Sequence, residues 1–486
     1  MKKTIIALVC SLLSVYSYAG ITFDNKGDIK AMISAVSETE VPAAEQINKV
    51  SPKEWTVMVF VNAKNNLEQY GLKDVNEMEM IGSSDKVNIV AELGRINGYS
   101  TEDGDWKGSR RYLIQKDADT KKINSPIVME IPQSDMGDWN YLVNFVKWAK
   151  ENYPAKRYVL IVWNHGSGWN KNFEMLEIGG KGISYDDETG HHITTAQLKQ
   201  VLDKTGNMNI FAMDACLMQM IEVAYEIRNN ANYIVASEET EPADGYTYDT
   251  WLGPLVNNPA MSDAELAKTM VNSYTDHYQS INQGATQSAI KASAMDKFAS
   301  LTNDFADALM ANNDVANAKN ARTKAQSFYY SSNKDIYHFV KLVVDATQFA
   351  DVKAKGQALL DFMSKELITH NRAFGNKYAN AFGLAGYLPS YYTTSYDELL
   401  WAKDSKWDEM MKWINGKEIV NEKQIVPICK YLGRIIVEGL IYECFKCGAE
   451  KMCDLIGEVD FPNPPNPAGG CDPVLGCNPP IRQLRF

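Results

Sequence analysis

The chain has 486 residues, more than one ordinary domain holds, so two or three units are expected. Hydrophobic residues at 45%, charged residues at 23% and aromatic residues at 10% describe a globular protein with ample apolar area for a large core. Acidic residues outnumber basic ones 61 to 49, giving a formal charge of −12, which argues against nucleic acid as a partner because phosphate binding needs a basic face.

Residues 1–19 read as a signal peptide. Lys2 and Lys3 precede a short apolar run over 5–15, and Ser17-Tyr18-Ala19 supplies the small residues that a signal peptidase reads. The run is too short for a stable membrane span, so no transmembrane anchor is expected. The protein is expected to be exported, to the periplasm or the extracellular space. Residues 20–54 follow as a polar leader punctuated by Pro42 and Pro52.

From 55 to 258 strands and helices alternate. TVMVFV at 56–61 is the kind of β-rich apolar run buried on both faces of a parallel sheet. A helix is predicted over 67–81, with strands over 87–93, 111–115 and 127–131. Asp138 is placed to cap an amphipathic helix with Leu142, Phe145, Val146 and Ala149 on one face. Strands over 158–163, 209–213 and 233–237 come next, with a helix over 217–228 between the last two. This alternation predicts an α/β fold, a mostly parallel sheet covered by helices on both faces.

Residues 259–420 read as a helical subdomain with one returning strand near 382–388. Within the apolar stretch 420–445, Lys430, Arg434 and Glu438 recur at four-residue spacing, which predicts an amphipathic helix rather than an anchor. Residues 421–486 form a cysteine-rich C-terminal tail whose last part is rich in proline, glycine and asparagine.

The chemistry sits after two of the predicted strands. Strand 158–163 runs into Asn164-His165-Gly166-Ser167-Gly168-Trp169, and strand 209–213 into Asp214-Ala215-Cys216-Leu217-Met218. In open α/β sheets reactive groups gather at the carboxyl ends of strands. If the two strands are neighbours, His165 and Cys216 project from adjacent tips. A thiol needs a base to become a nucleophile, and an imidazole is one. Cys216 is also expected to open the helix 217–228, whose N-terminal amides favour a thiolate. Gly166 lets its own amide approach a carbonyl oxygen, and with the Cys216 amide it could form an oxyanion hole. Taken alone, these residues leave a second reading open, with Cys216 a small buried residue and His165-Gly166 a turn.

The blocks WNHGSGW and MDACLMQMIEVAYEI resemble the clostripain family of cysteine peptidases, in the caspase-like clan. The resemblance continues through GISYDDETGHHITTAQL at 182–198 and ASEETEPADGY at 236–246, with a weaker echo in GLAGYLP at 383–389. It implies a caspase-like α/β/α sandwich and a catalytic dyad of His165 and Cys216. It implies endopeptidase cleavage of proteins or peptides after arginine or lysine, through a thioester. Asp214 lies two residues before the nucleophile, on the same strand face, and Asp244 stands where the family places a pocket acid. Either could hold the substrate cation, while Asp214 could equally cap a helix and Asp244 could equally serve a turn before Gly245. Relatives mature by internal cleavage after the histidine block, which makes Lys171 and Lys181 candidate self-cleavage sites in a zymogen.

No cofactor is expected. Calcium dependence occurs within the family, but no EF-hand loop is present. His191 and His192 with Asp186 and Asp187 fit a solvated hairpin loop better than a metal cluster. The chain has eight cysteines, of which Cys10 leaves with the signal peptide. Cys429, Cys444, Cys447, Cys453, Cys471 and Cys477 crowd into the tail, and in an exported chain they read as three disulfides rather than a zinc site, leaving Cys216 reduced. Two other functions keep the same residues: an inactive caspase-like binding module, and a transpeptidase that resolves the thioester with an amine.

Overall fold

A computed structural model describes residues 52–169, 182–416 and 419–420. The signal peptide, most of the leader, Lys171 and Lys181, the helix expected over 420–445 and the six tail cysteines lie outside the described residues. Among the described residues, no helix is long and apolar enough to cross a membrane.

The first half of the chain runs β1 (Lys53–Ala63), α1 (Glu68–Ile81), β2 (Val87–Arg95), β3 (Gly108–Leu113), β4 (Ile127–Ile131), α2 (Trp139–Asn152) and β5 (Ala155–Trp163). A hairpin of β6 (Ile183–Asp186) and β7 (His191–Ile193) follows, then α3 (Thr195–Thr205), β8 (Met208–Asp214), α4 (Ile221–Ile227) and β9 (Ala231–Ala236). The second half runs α5 (Tyr248–Asn257), α6 (Asp263–Ser280), β10 (Ala285–Lys291), α7 (Met295–Ala311) and α8 (Val315–Lys324). It continues with β11 (Asn333–Asp335), α9 (Ile336–Ala346), α10 (Ala350–Phe362), β12 (Ile368–Phe374) and β13 (Ala385–Tyr387).

Nine strands form one sheet in the order β12-β10-β9-β8-β5-β1-β2-β3-β4. The five central strands are parallel, and both flanks are antiparallel. The apolar run of β1 explains the layering. Side chains alternate across a strand, so Val57, Val59 and Val61 enter one core with Leu93, Ile161 and Ala212, while Met58 and Phe60 enter the other with Leu160, Val162 and Phe211. Helices α1, α5 and α6 cover the first core; α2, α3, α4, α7, α9 and α10 cover the second. Each aliphatic side chain buried this way contributes about 1.5–3 kcal/mol. The result is the α/β/α sandwich that the alternation implied. Asp138 caps α2 as expected, its carboxylate accepting from the Asn140 amide at 2.9 Å.

Local expectations are refined at four points. Residues 259–420 hold more strand than the one expected near 382–388: β10 and β12 extend the main sheet across the boundary placed at 258/259. Their sequences, ATQSAIK and ITHNRAF, carry consecutive polar residues, Thr286-Gln287-Ser288 and Thr369-His370-Asn371-Arg372, and lack both the alternation and the apolar run that mark strands. The strand expected near 382–388 is the short β13, paired with β11 outside the main sheet. The helix expected from residue 217 begins only at Ile221, because Leu217 adopts φ 63° and its amide bonds to the Glu239 carbonyl. The chain therefore makes a turn after Cys216 before it coils. β1 also begins at Lys53, inside the stretch assigned to the leader.

Candidate active site

Strands β5 and β8 are parallel neighbours, with Trp163 registered against Asp214. His165 and Cys216 each follow two residues later, so the two blocks meet at the same edge of the sheet. Their peptides are in close contact. A Cβ on Gly166 would fall 2.4 Å from the Cys216 carbonyl oxygen and 3.1 Å from its nitrogen. Only glycine fits there, because any side chain would run into the Cys216 backbone.

Cys216 is part-buried, and its sulfur lies against the backbone of Glu241. The Glu241 amide donates to Sγ at 3.3 Å, and the Glu241 carbonyl oxygen lies 3.8 Å from it. Burial pushes the thiol above its ordinary value, and Glu239 and Asp214 add to the shift. The helix N-terminus expected to favour a thiolate is absent at Cys216, which removes that source of stabilisation. Burial likewise lowers the His165 imidazole. Both shifts favour the neutral thiol–imidazole pair in the unliganded protein.

His165 has a partner that sequence reasoning missed. Its Nε2 lies 2.8 Å from Oδ1 of Asn66, in the turn after β1. With the proton on Nε2, Asn66 accepts it and leaves Nδ1 as the basic nitrogen. Asn66 sits in an ordinary polar turn, AKNNLE, and carries no motif of its own. Only the placement of β1 beside β5 brings it to the histidine.

Asp214 is buried beneath the nucleophile loop, at 4% exposure. The Tyr246 amide donates to it at 3.2 Å and the Tyr248 hydroxyl at 2.9 Å. A Cβ on Gly245, itself at φ 58°, would come within 2.8 Å of Oδ1. Desolvation raises the Asp214 carboxyl to about 6. Tyr246, Tyr274 and Tyr278 pack edge-on in series beside it, with centroids 5.7 and 4.7 Å apart. Among the described residues, no lysine or arginine pairs with Asp214. Asp244 differs: it is half-exposed and already paired with Lys73, at 3.1 Å.

Residues 183–193 form the expected hairpin, with its turn at 187–191 exposed to solvent and its base buried. Asp186 is buried in an ion pair with Lys64 at 3.0 Å. His191 pairs with Asp135 at 2.5 Å, which raises its imidazole, and His192 stacks on Tyr185. Among the described residues, no group of three or more His, Cys, Asp or Glu side chains is arranged to hold a metal ion. Cys216 is the one free cysteine among the described residues.

The clostripain family model matches residues 59–413, which contain both blocks and the Asp244 loop. Clostripain of Hathewaya histolytica is 30% identical over 224 residues, and the match spans 42% of each chain, less than half of that relative's length. A secreted C11 cysteine protease of Bacteroides thetaiotaomicron, solved with an irreversible peptide inhibitor, has a TM-score of 0.56 at 18% identity, over 73% of this chain and 99% of its own. An inactive zymogen C11 protease of Parabacteroides distasonis gives 0.54 at 19% identity, over 73% of this chain and 98% of its own. These two structures share the fold, a mostly parallel sheet between helical layers. By the extent of the family match, the chain belongs to the clostripain family of cysteine peptidases.

Proposed function

We propose that the protein is an exported cysteine endopeptidase that hydrolyses peptide bonds after arginine or lysine, with Cys216 as nucleophile and His165 as base. The observation that carries this reading is the buried Asp214, two residues before Cys216 and without a cationic partner among the described residues. A buried carboxylate is costly unless paired, so this site is poised for a cation brought by the substrate. The tyrosines beside it add aromatic surface that suits a guanidinium or ammonium group.

In this account the substrate carbonyl oxygen rests on the Gly166 and Cys216 amides. Cys216 gives its proton to His165 Nδ1 as sulfur attacks the carbonyl carbon. The imidazolium then protonates the leaving amine, and a thioester remains. His165 next takes a proton from water, whose oxygen attacks the thioester and frees the acid and the thiol. Asn66 keeps the imidazole in the tautomer these steps need.

Export rests on the signal-like first nineteen residues. Self-cleavage at Lys171 or Lys181 and disulfides in the tail belong to the same proposal. The family resemblance supports the first, and the clustering of six cysteines supports the second. The test is turnover of matched Arg, Lys, Leu and Asp reporter peptides by the wild type and by Asp214→Asn. Cleavage confined to Arg and Lys, and lost with Asp214→Asn, is expected. Equal turnover of Arg and Leu reporters would overturn the specificity.

A further inference from the structure

Glu241 occupies a position that the dyad does not use. Its amide anchors the Cys216 sulfur, while its side chain turns toward Asp214, within hydrogen-bonding reach of that carboxyl group. Gln287 of β10 donates to Oε1 at 3.3 Å, and Oε2 is shielded from solvent with no N–H or hydroxyl donor reaching it. Asp74 of α1 is fully buried nearby. Trp163 donates to its Oδ2 at 2.6 Å, and its Oδ1 also has no partner. Burial, with Asp214 second, pushes both Asp74 and Glu241 upward. Two acid groups in contact, with oxygens on Glu241 and Asp74 that no N–H or hydroxyl donor reaches, are more than one substrate-binding aspartate needs. They describe a pocket that is short of positive charge.

Two carboxyl groups that touch in a buried site cannot both ionise, so they hold a proton between them. The groups facing the pair do not neutralise it by other means. Tyr246, Tyr248, Tyr274 and Tyr278 are all raised above the ordinary phenol range by burial and stay neutral. The Cys216 thiol is protonated at neutral pH for the reason already given. On α1, Lys73 is engaged by Glu77 and Asp244 at the rim.

Resting on the proposed cation specificity, we propose that Glu241 is the second carboxylate of that pocket, and that it and Asp214 exchange their shared proton for the substrate's cationic side chain. The chemistry balances: the carboxyl O–H proton leaves to solvent, the cation enters, and two carboxylates then face one guanidinium or ammonium group. No covalent bond other than that O–H changes. Glu241 is here a specificity-determining residue, and its amide contact with Cys216 places the exchange directly beside the nucleophile.

Calorimetry on the full chain carrying Cys216→Ala tests this, with N-acetyl-arginine amide as the probe and N-acetyl-norleucine amide as its uncharged counterpart. Titrations at neutral pH in buffers of different ionisation enthalpy count the protons exchanged. The expected result is release of about one proton per arginine amide bound. In the Glu241→Gln background the release should largely vanish, because the amide can donate to Asp214 in place of the shared proton, and affinity should fall by about tenfold or more. Arginine amide binding without proton release would overturn the exchange, as would the same release from Glu241→Gln. The first measurement needs no Glu241 variant, so a misfolded variant does not blunt it. If arginine amide fails to bind and the wild type cleaves neither Arg nor Lys reporters, the cation pocket itself is wrong. If those reporters are cleaved, only the exchange is at stake.

Discussion

Trp163 on β5 and Asp214 on β8 are register partners, so the chain reaches His165 and Cys216 after the same two residues on neighbouring parallel strands. The two blocks therefore reach the same edge of the sheet without a long loop. Gly166 completes the arrangement by allowing the two peptides to touch.

That contact predicts a sharp effect from a small change. Gly166→Ala would put a methyl 2.4 Å from the Cys216 carbonyl oxygen, a backbone atom that cannot swing away. Displacing the loop by even about 1 Å can cost on the order of 100-fold in rate. The expected outcome is a folded protein whose kcat falls by at least that factor on an arginine reporter. Near wild-type kcat would show that the two amides do not act together.

Asn66→Ala addresses the positioning of the base. Without the carbonyl acceptor at Nε2, the imidazole loses its fixed tautomer and orientation. The expected loss is in kcat, up to about 100-fold, with KM little changed. Asn66→Asp, which keeps an acceptor at the same position, should recover a large part of it. If both variants behave alike and only melt earlier, Asn66 has a structural role only.

Much of this geometry was legible in the sequence and some was not. The central strands could be read because TVMVFV and its neighbours are apolar on both faces, and the two blocks stood at their ends. β10 and β12 could not, since Gln287, Ser288, His370 and Asn371 break the apolar pattern. Asn66, Asp74 and Glu241 were hidden for a different reason. Each is an ordinary polar residue in its own segment, and its role comes from contacts with residues remote in the chain. In the loop Glu241-Pro242-Ala243-Asp244-Gly245, the family resemblance points to Asp244, whereas Glu241 is the acid that turns toward Asp214 and Asp244 pairs with Lys73.

The pH dependence of Cys216 follows from its surroundings. Burial raises the thiol above 9.0 and lowers the imidazole below 6.5, so thiolate accumulates only at high pH in the substrate-free enzyme. Alkylation by iodoacetamide should therefore keep rising with pH through 9.0, with no plateau near neutrality. Peptide mapping should find the label at Cys216 alone, with the tail cysteines reacting only after reduction and unfolding. A rate already flat at neutral pH would mean that a thiolate–imidazolium pair forms before substrate arrives.

Asp214→Asn should leave the dyad in place and remove the charge that meets the substrate. Breaking a buried ion pair costs about 3–5 kcal/mol, so kcat/KM on arginine and lysine reporters should fall by about two to four orders of magnitude. Alkylation of Cys216 should persist in this variant. A small and equal loss on all reporters would assign Asp214 to loop stability, through its bonds to Tyr246 and Tyr248.

The most direct test of the account is turnover of an arginine reporter peptide by the purified wild type, Cys216→Ala and His165→Ala proteins, each confirmed as folded by its thermal melt. The wild type should cleave on the carboxyl side of the arginine, and neither variant should show turnover above background. A folded Cys216→Ala protein that cleaves the reporter at the wild-type rate would contradict the assignment of the nucleophile, and with it the mechanism built on this site.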